Sequence, residues 1–170
     1  ALVNKTRDSK LAGYYHAEKG TLCQGCHHHS PPAEKPPACS NCHGETIEGK
    51  RCALSGAGNV ALYCAEKLIE LQARVVTLSD SGGFVHDPDG LDQEKLDWLI
   101  DLKTRRRGAL SEYAENYGLD YFPDGKPWQV PCDLAFPCAT QNEVDGEEAK
   151  TLVKNGCIGL AEGANMGSNN

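Results

Sequence analysis

Residues 51–61 read Arg51-Cys52-Ala53-Leu54-Ser55-Gly56-Ala57-Gly58-Asn59-Val60-Ala61, and this stretch decides the fold. A short buried-strand pattern runs into Gly-x-Gly-x-x-Ala, and a helical run follows to about residue 72. Glycine at 56 permits a tight turn, glycine at 58 lets a pyrophosphate approach the backbone, and alanine at 61 lets the helix press on a sheet. The amino end of that helix favours phosphate charge. The next strand, 74–79, ends at Asp80, where a ribose-reading carboxylate belongs. A packing turn in an unspecialised α/β domain is the bland alternative, and it does not require all these parts in this order.

Working outward, residues 91–104 and 110–117 read as amphipathic helices, 132–136 as a buried strand, 146–155 as a helix and 157–161 as a last strand. The alternation predicts a mainly parallel, Rossmann-like sheet over residues 47–170, with right-handed crossovers. Ligands of such sheets sit beyond the carboxyl ends of the strands. Residues 137–143 and 162–166 stand at two of those ends.

Residues 1–46 differ in kind. They carry five Lys/Arg against four Asp/Glu and five of the six histidines, whereas residues 47–170 carry twelve basic and twenty acidic residues. The acidic excess argues against a nucleic-acid surface, and no apolar run approaches the ~20 residues of a membrane span. There is no signal peptide and no initiator Met, so the chain reads as a fragment or processed product. Five cysteines, Cys52, Cys64, Cys132, Cys138 and Cys157, sit in apolar surroundings and read as reduced and buried.

The other four cysteines form Cys23-Gln24-Gly25-Cys26-His27 and Cys39-Ser40-Asn41-Cys42-His43, two Cys-x-x-Cys-His units of the c-type haem attachment kind. On this reading Cys23, Cys26, Cys39 and Cys42 bind two haems c, and His27 and His43 are proximal ligands. His16, His28 and His29 are the candidates for two distal places, giving bis-His irons suited to electron transfer. Two Cys-x-x-Cys pairs also fit a structural zinc site with four thiolates, and a His-rich loop without metal is a third reading.

Two resemblances follow. Gly13-Tyr14-Tyr15-His16, Gly20-Thr21 and the two attachment units resemble class III multihaem cytochromes over about residues 2–46. That resemblance implies a short, haem-wrapped, loop-rich segment with His16 and then His28 as distal ligands. It also implies redox protein partners, a further cytochrome chain able to supply a missing ligand, and a periplasmic location. Ser55–Ala61, Thr77-Leu78-Ser79-Asp80-Ser81, Pro127-Trp128, Pro137-Cys138-Ala139-Thr140-Gln141-Asn142-Glu143 and Glu162-Gly163-Ala164-Asn165-Met166 resemble the coenzyme domain of hexameric, NADP-type glutamate dehydrogenases, from about residue 47 to 166. This second resemblance implies a cytoplasmic enzyme lobe. Its cofactor contacts would be Gly56, Gly58, Asn59, Val60, Ser79, Asp80, Ser81, Ala139, Thr140, Asn142 and Asn165. Asn142 and Asn165 also suit plain loop capping.

Asp80 alone favours NAD, because a carboxylate repels a 2′-phosphate. The Ser-Asp-Ser pattern favours NADP, helped by Lys103, Arg105, Arg106 and Arg107, unless that charge run is merely a solvated helix end. The substrate domain of the family is not matched in residues 1–46, and Gly167 replaces the usual proline. No complete catalytic site is therefore expected, nor amination of 2-oxoglutarate.

The leading expectation is a composite chain: a di-haem electron-transfer segment, 1–46, joined to an incomplete NADP-binding lobe, 47–170. The alternative is a glutamate dehydrogenase coenzyme domain whose Cys/His segment binds zinc. Direct electron flow from NADPH to haem is disfavoured, since a hydride donor and a one-electron acceptor need a mediator.

Overall fold

The computed structural model describes residues 46–164 and 168. The first strand β1 (Arg51–Leu54) leads through the glycine turn to α1 (Asn59–Glu70) and then β2 (Arg74–Asp80). A two-residue turn connects β2 to β3 (Gly83–His86). Next come α2 (Gln93–Asp101), a π-helical turn at Leu102–Arg106, α3 (Leu110–Tyr117) and β4 (Asp120–Pro123). A 3-10 turn at Pro127–Gln129 precedes β5 (Leu134–Phe136), α4 (Gly146–Lys154) and β6 (Gly159–Leu160).

The six strands form one sheet in the order β4-β3-β2-β1-β5-β6. β1 pairs parallel with β2 and β5, and β5 with β6. This is the parallel α/β sheet expected, with one correction: β3 and β4 are antiparallel additions at one edge. The signal for them was Ser81-Gly82-Gly83, a hairpin dipeptide followed by a glycine. Gly83 has φ +149°, and a Cβ there would meet Phe122 O at 2.3 Å, so β4 can lie alongside β3 only because residue 83 has no side chain. β4 itself reads Asp-Tyr-Phe-Pro, a mixed and mostly exposed run without a clean apolar alternation.

Side chains alternate across the sheet, and both faces are covered. Cys52, Leu54, Val75 and Val85 face α1, α2 and α3, packing on Ala61, Ala65, Leu96, Leu99 and Tyr113. Ala53 and Ala135 face the other way, against Trp128 and Leu152. Helix α2 starts where Asp92 accepts from Lys95 N at 2.8 Å, and α4 where Asp145 accepts from Glu147 N and Glu148 N, both at 2.9 Å. The expected helix 91–104 does not stay α-helical: its last turn widens into the π turn, which ends at Arg107 in the left-handed region (φ 53°).

Candidate nucleotide-binding site

At the carboxyl ends of β1, β2 and β5 lies a cavity of about 970 Å³. Three hydroxyls clip its floor together. Thr77 Oγ1 accepts from Leu54 N at 3.0 Å and donates to Leu54 O at 3.1 Å. Ser79 Oγ accepts from Gly56 N at 2.9 Å, and Ser55 Oγ accepts from Cys138 N at 2.9 Å. Each bond joins neighbouring strands where the backbone ladder ends, so the turn between β1 and α1 is held from both sides.

The two glycines of that turn do different things. Gly56 has φ +86°, and a Cβ on it would stand 3.1 Å from Cys138 O and 3.2 Å from both Ala139 Cα and Ala61 Cβ. Position 56 therefore needs glycine for its dihedral and for the approach of the β5 loop, and Ala61 is small for the same reason. Gly58 has ordinary extended backbone, and a Cβ on it would meet nothing within 4 Å. It lines the cavity with Asn59 and Val60. The first turn of α1 holds no acidic residue and its N-cap no side-chain bond, so its free amides are offered to a ligand.

Asp80 closes the adjoining wall, but not as a free ribose-reading acid. Its Oδ2 accepts from Lys103 Nζ at 2.8 Å and Leu110 N at 2.9 Å, and its Oδ1 accepts from Gly82 N at 3.0 Å. Burial pushes this carboxyl up, yet the Lys103 hydrogen bond, the two amides and the Lys103 charge outweigh it and hold Asp80 below the usual range. Lys103 is fixed in turn by Gly108 O at 3.0 Å. Ser79, Ser81, Lys103 and Thr104 line the same wall. Arg105 and Arg106 instead reach Asp101, at 3.5 and 3.4 Å, and Arg106 lies 4.4 Å over Trp98. That part of the basic run is the solvated helix end of the bland reading.

On the far side stand Cys138, Ala139, Thr140 and Glu143. Glu143 Oε1 accepts from Ala139 N at 3.1 Å, while Glu143 O accepts from Trp128 Nε1 at 3.2 Å and Lys126 Nζ at 3.4 Å. Lys126 also pairs with Glu148. Asn142 is exposed, takes φ +54° and stays off the cavity wall, which suits the loop-capping reading. The sequence reading missed Gly125 and Lys126 as wall residues and gave Glu143 only as part of the 137–143 strand end; Gly125 and Lys126 lie in the connection that leaves the unforeseen β4. The Cys138 thiol is pushed up, first by its hydrogen bond with Cys64 and then by burial.

Asn165 lies outside the described residues, as do His16, Cys23, Cys26, His27, His28, Cys39, Cys42 and His43. Among the described residues no group of three or more His, Cys, Asp or Glu could hold a metal, and no helix is long and apolar enough to cross a membrane. The five cysteines named as reduced are all free, though Cys64 and Cys157 are only partly buried.

Comparison with known proteins bears on the whole reading. The model of the Glutamate/Leucine/Phenylalanine/Valine dehydrogenase family matches residues 37–170. Glutamate dehydrogenase of Bacteroides thetaiotaomicron is 55% identical over 125 residues, which is 74% of this chain and 28% of that protein. NADP-specific glutamate dehydrogenase of Haemophilus influenzae is 51% identical over 123 residues, 72% of this chain and 27% of that protein. The crystal structure of Plasmodium falciparum glutamate dehydrogenase superposes with a TM-score of 0.74 at 51% identity, over 77% of this chain and 28% of the other. The chain thus spans little more than a quarter of the length of these relatives.

These matches correct the leading expectation. Electron transfer through two haems c is overturned as the function, and the cytochrome segment, composite chain and periplasmic location fall with it. The family match begins at residue 37 and takes Cys39, Cys42 and His43 into a dehydrogenase, not a cytochrome. Cys-x-x-Cys-His is a pattern of three fixed residues, which thiols and imidazoles can present without porphyrin. By its 134-residue family match, its sheet and its glycine turn, the chain belongs to the Glutamate/Leucine/Phenylalanine/Valine dehydrogenase family.

Proposed function

We propose that residues 47–170 are the coenzyme-binding lobe of a glutamate dehydrogenase that uses NADP. One observation carries this reading: the cavity at the strand ends is floored by a glycine turn whose uncapped helix amides face it and whose Gly58 leaves the approach open. A dinucleotide fits the donors there. The amides of Asn59 and Val60 suit the pyrophosphate, and the β5 loop from Ala139 to Thr140 suits the nicotinamide ribose. When bound, the nicotinamide supplies a hydride acceptor or donor; the chain's own part is to hold and orient it.

NADP is favoured because the wall that meets the adenosine ribose is already neutralised. Lys103 cancels the charge of Asp80, so a 2′-phosphate meets an ion pair with Ser79 and Ser81 beside it in place of a bare carboxylate. The name of the Haemophilus influenzae relative, an NADP-specific enzyme, points the same way.

Titration with NADPH and NADH, read by quenching of Trp128 at the cavity wall, tests both parts. NADPH binding more tightly than NADH supports the reading. Failure of both to bind sinks the coenzyme lobe, and equal or better binding of NADH sinks the NADP assignment alone.

A further inference from the structure

At the opposite end of the sheet from the cavity, two cysteines enter neighbouring strands side by side. The β5–β6 ladder is parallel, with Leu134 opposite Gly159 and Ala135 opposite Leu160. The Ile158 amide already donates to Asp133 O at 2.9 Å, one residue before the strands begin. Cys132 and Cys157 each lie just before this pairing, and both pack in one cluster on the same side of the sheet. Packing agrees: Cys132 is fully buried in the cluster with Ala135 and Trp128, and Cys157 rests against that cluster from its partly exposed edge.

We propose that Cys157 and Cys132 are an oxidisable thiol pair, a modification site at the amino-terminal ends of β5 and β6 that a peroxide closes to a disulfide. Cys157 is the attacking sulfur because solvent reaches it, whereas Cys132 is sealed. The interaction with the Cys132 thiol favours a thiolate at Cys157, against the opposing effect of burial, and holds Cys157 below the usual thiol range; as a thiol its Sγ donates to Gly159 O at 3.2 Å. The same interaction between the two thiols, together with burial, pushes Cys132 up and keeps it a thiol.

The steps balance. The Cys157 thiolate takes the terminal oxygen of hydrogen peroxide, the O–O bond breaks, and hydroxide leaves to pick up the proton that Cys157 shed. The sulfenic acid then condenses with the Cys132 thiol, forming the S–S bond and releasing water. Each sulfur loses one electron and the peroxide gains two. Cys52, the nearby third thiol of the sheet, is fully buried and pushed up to about 12, chiefly by burial. It is the internal control.

The test is peptide mapping of the full chain after brief peroxide treatment and alkylation. Asp-N protease cuts before Asp133 and so separates Cys132 from Cys138. A Cys132–Cys157 linked peptide, lost on treatment with dithiothreitol, supports the pair. In Cys132→Ser, dimedone should capture a sulfenic acid at Cys157, since no partner remains to condense with it. Oxidation that links Cys157 to Cys52 or to another cysteine would overturn the proposal. So would Cys157 recovered fully alkylated while other cysteines oxidise. The wild-type map decides the matter even if the variant does not fold.

Discussion

Gly56 and Gly58 stand two residues apart in one motif, yet alanine should damage the protein in different ways at each. At Gly56, φ +86° places an L side chain in the left-handed region, at about 1–2 kcal/mol. The new Cβ must also push away Cys138 O and Ala139 Cα, which are 3.1 and 3.2 Å distant and backbone atoms that cannot rotate aside. Overpacking of this kind adds roughly 1–2 kcal/mol, so Gly56→Ala should lose about 2–4 kcal/mol in all. At Gly58 the backbone is extended and the added methyl meets open space. Stiffening of the unfolded chain and the weaker N-cap nearly cancel, leaving stability within about 0.5 kcal/mol of the parent. That methyl, however, stands on the cavity wall, and if the phosphates bind there as proposed, NADPH affinity should fall about tenfold or more, near 1.4 kcal/mol. Urea unfolding followed by tryptophan fluorescence, paired with an NADPH titration in the folded range, measures both quantities. A Gly58→Ala variant with full affinity, or a Gly56→Ala variant with an unchanged urea midpoint, would refute this assignment of roles.

Three further expectations rest on the same geometry. Lys103→Met strips the cation from a largely buried carboxylate and should cost about 1–3 kcal/mol in urea unfolding, and it should weaken NADPH more than NADH. Asp80 is held below its ordinary value in the folded state, so its contribution is complete above the unfolded value near 3.8 and vanishes as pH falls through the folded one. Urea midpoints should therefore drop on acidification from pH 5 towards 3, and less steeply in Asp80→Asn. Trp128 is 1% exposed and bonded to Glu143 O, so Trp128→Ala should lose about 3–5 kcal/mol; a retained urea midpoint would show that the far face of the sheet repacks without it.

Much of this protein was legible in the chain. Strand, glycine turn, helix and following strand came from residues 51–80 because each is specified locally: burial periodicity, a dihedral only glycine tolerates, a small residue under the helix. The two glycine roles could be named in advance for the same reason. The front segment misled, since three fixed residues in five carry little information when repeated only twice. Its weight gave way once 134 residues of match were set against it.

Tertiary structure decided the rest. The hairpin to β3 left only the short Ser81-Gly82-Gly83 signal, and the pairing of β4 left none, because short, half-polar strands gain their stability from neighbours, not from their own composition. The packing of the π turn against the end of β2 settles the chemistry of Asp80. In sequence it is an acid at a strand end; in the fold Lys103, arriving 23 residues later on the π turn, binds and neutralises it. The charge a coenzyme meets is set by which side chains converge across the chain, and convergence is a property of the packed sheet alone.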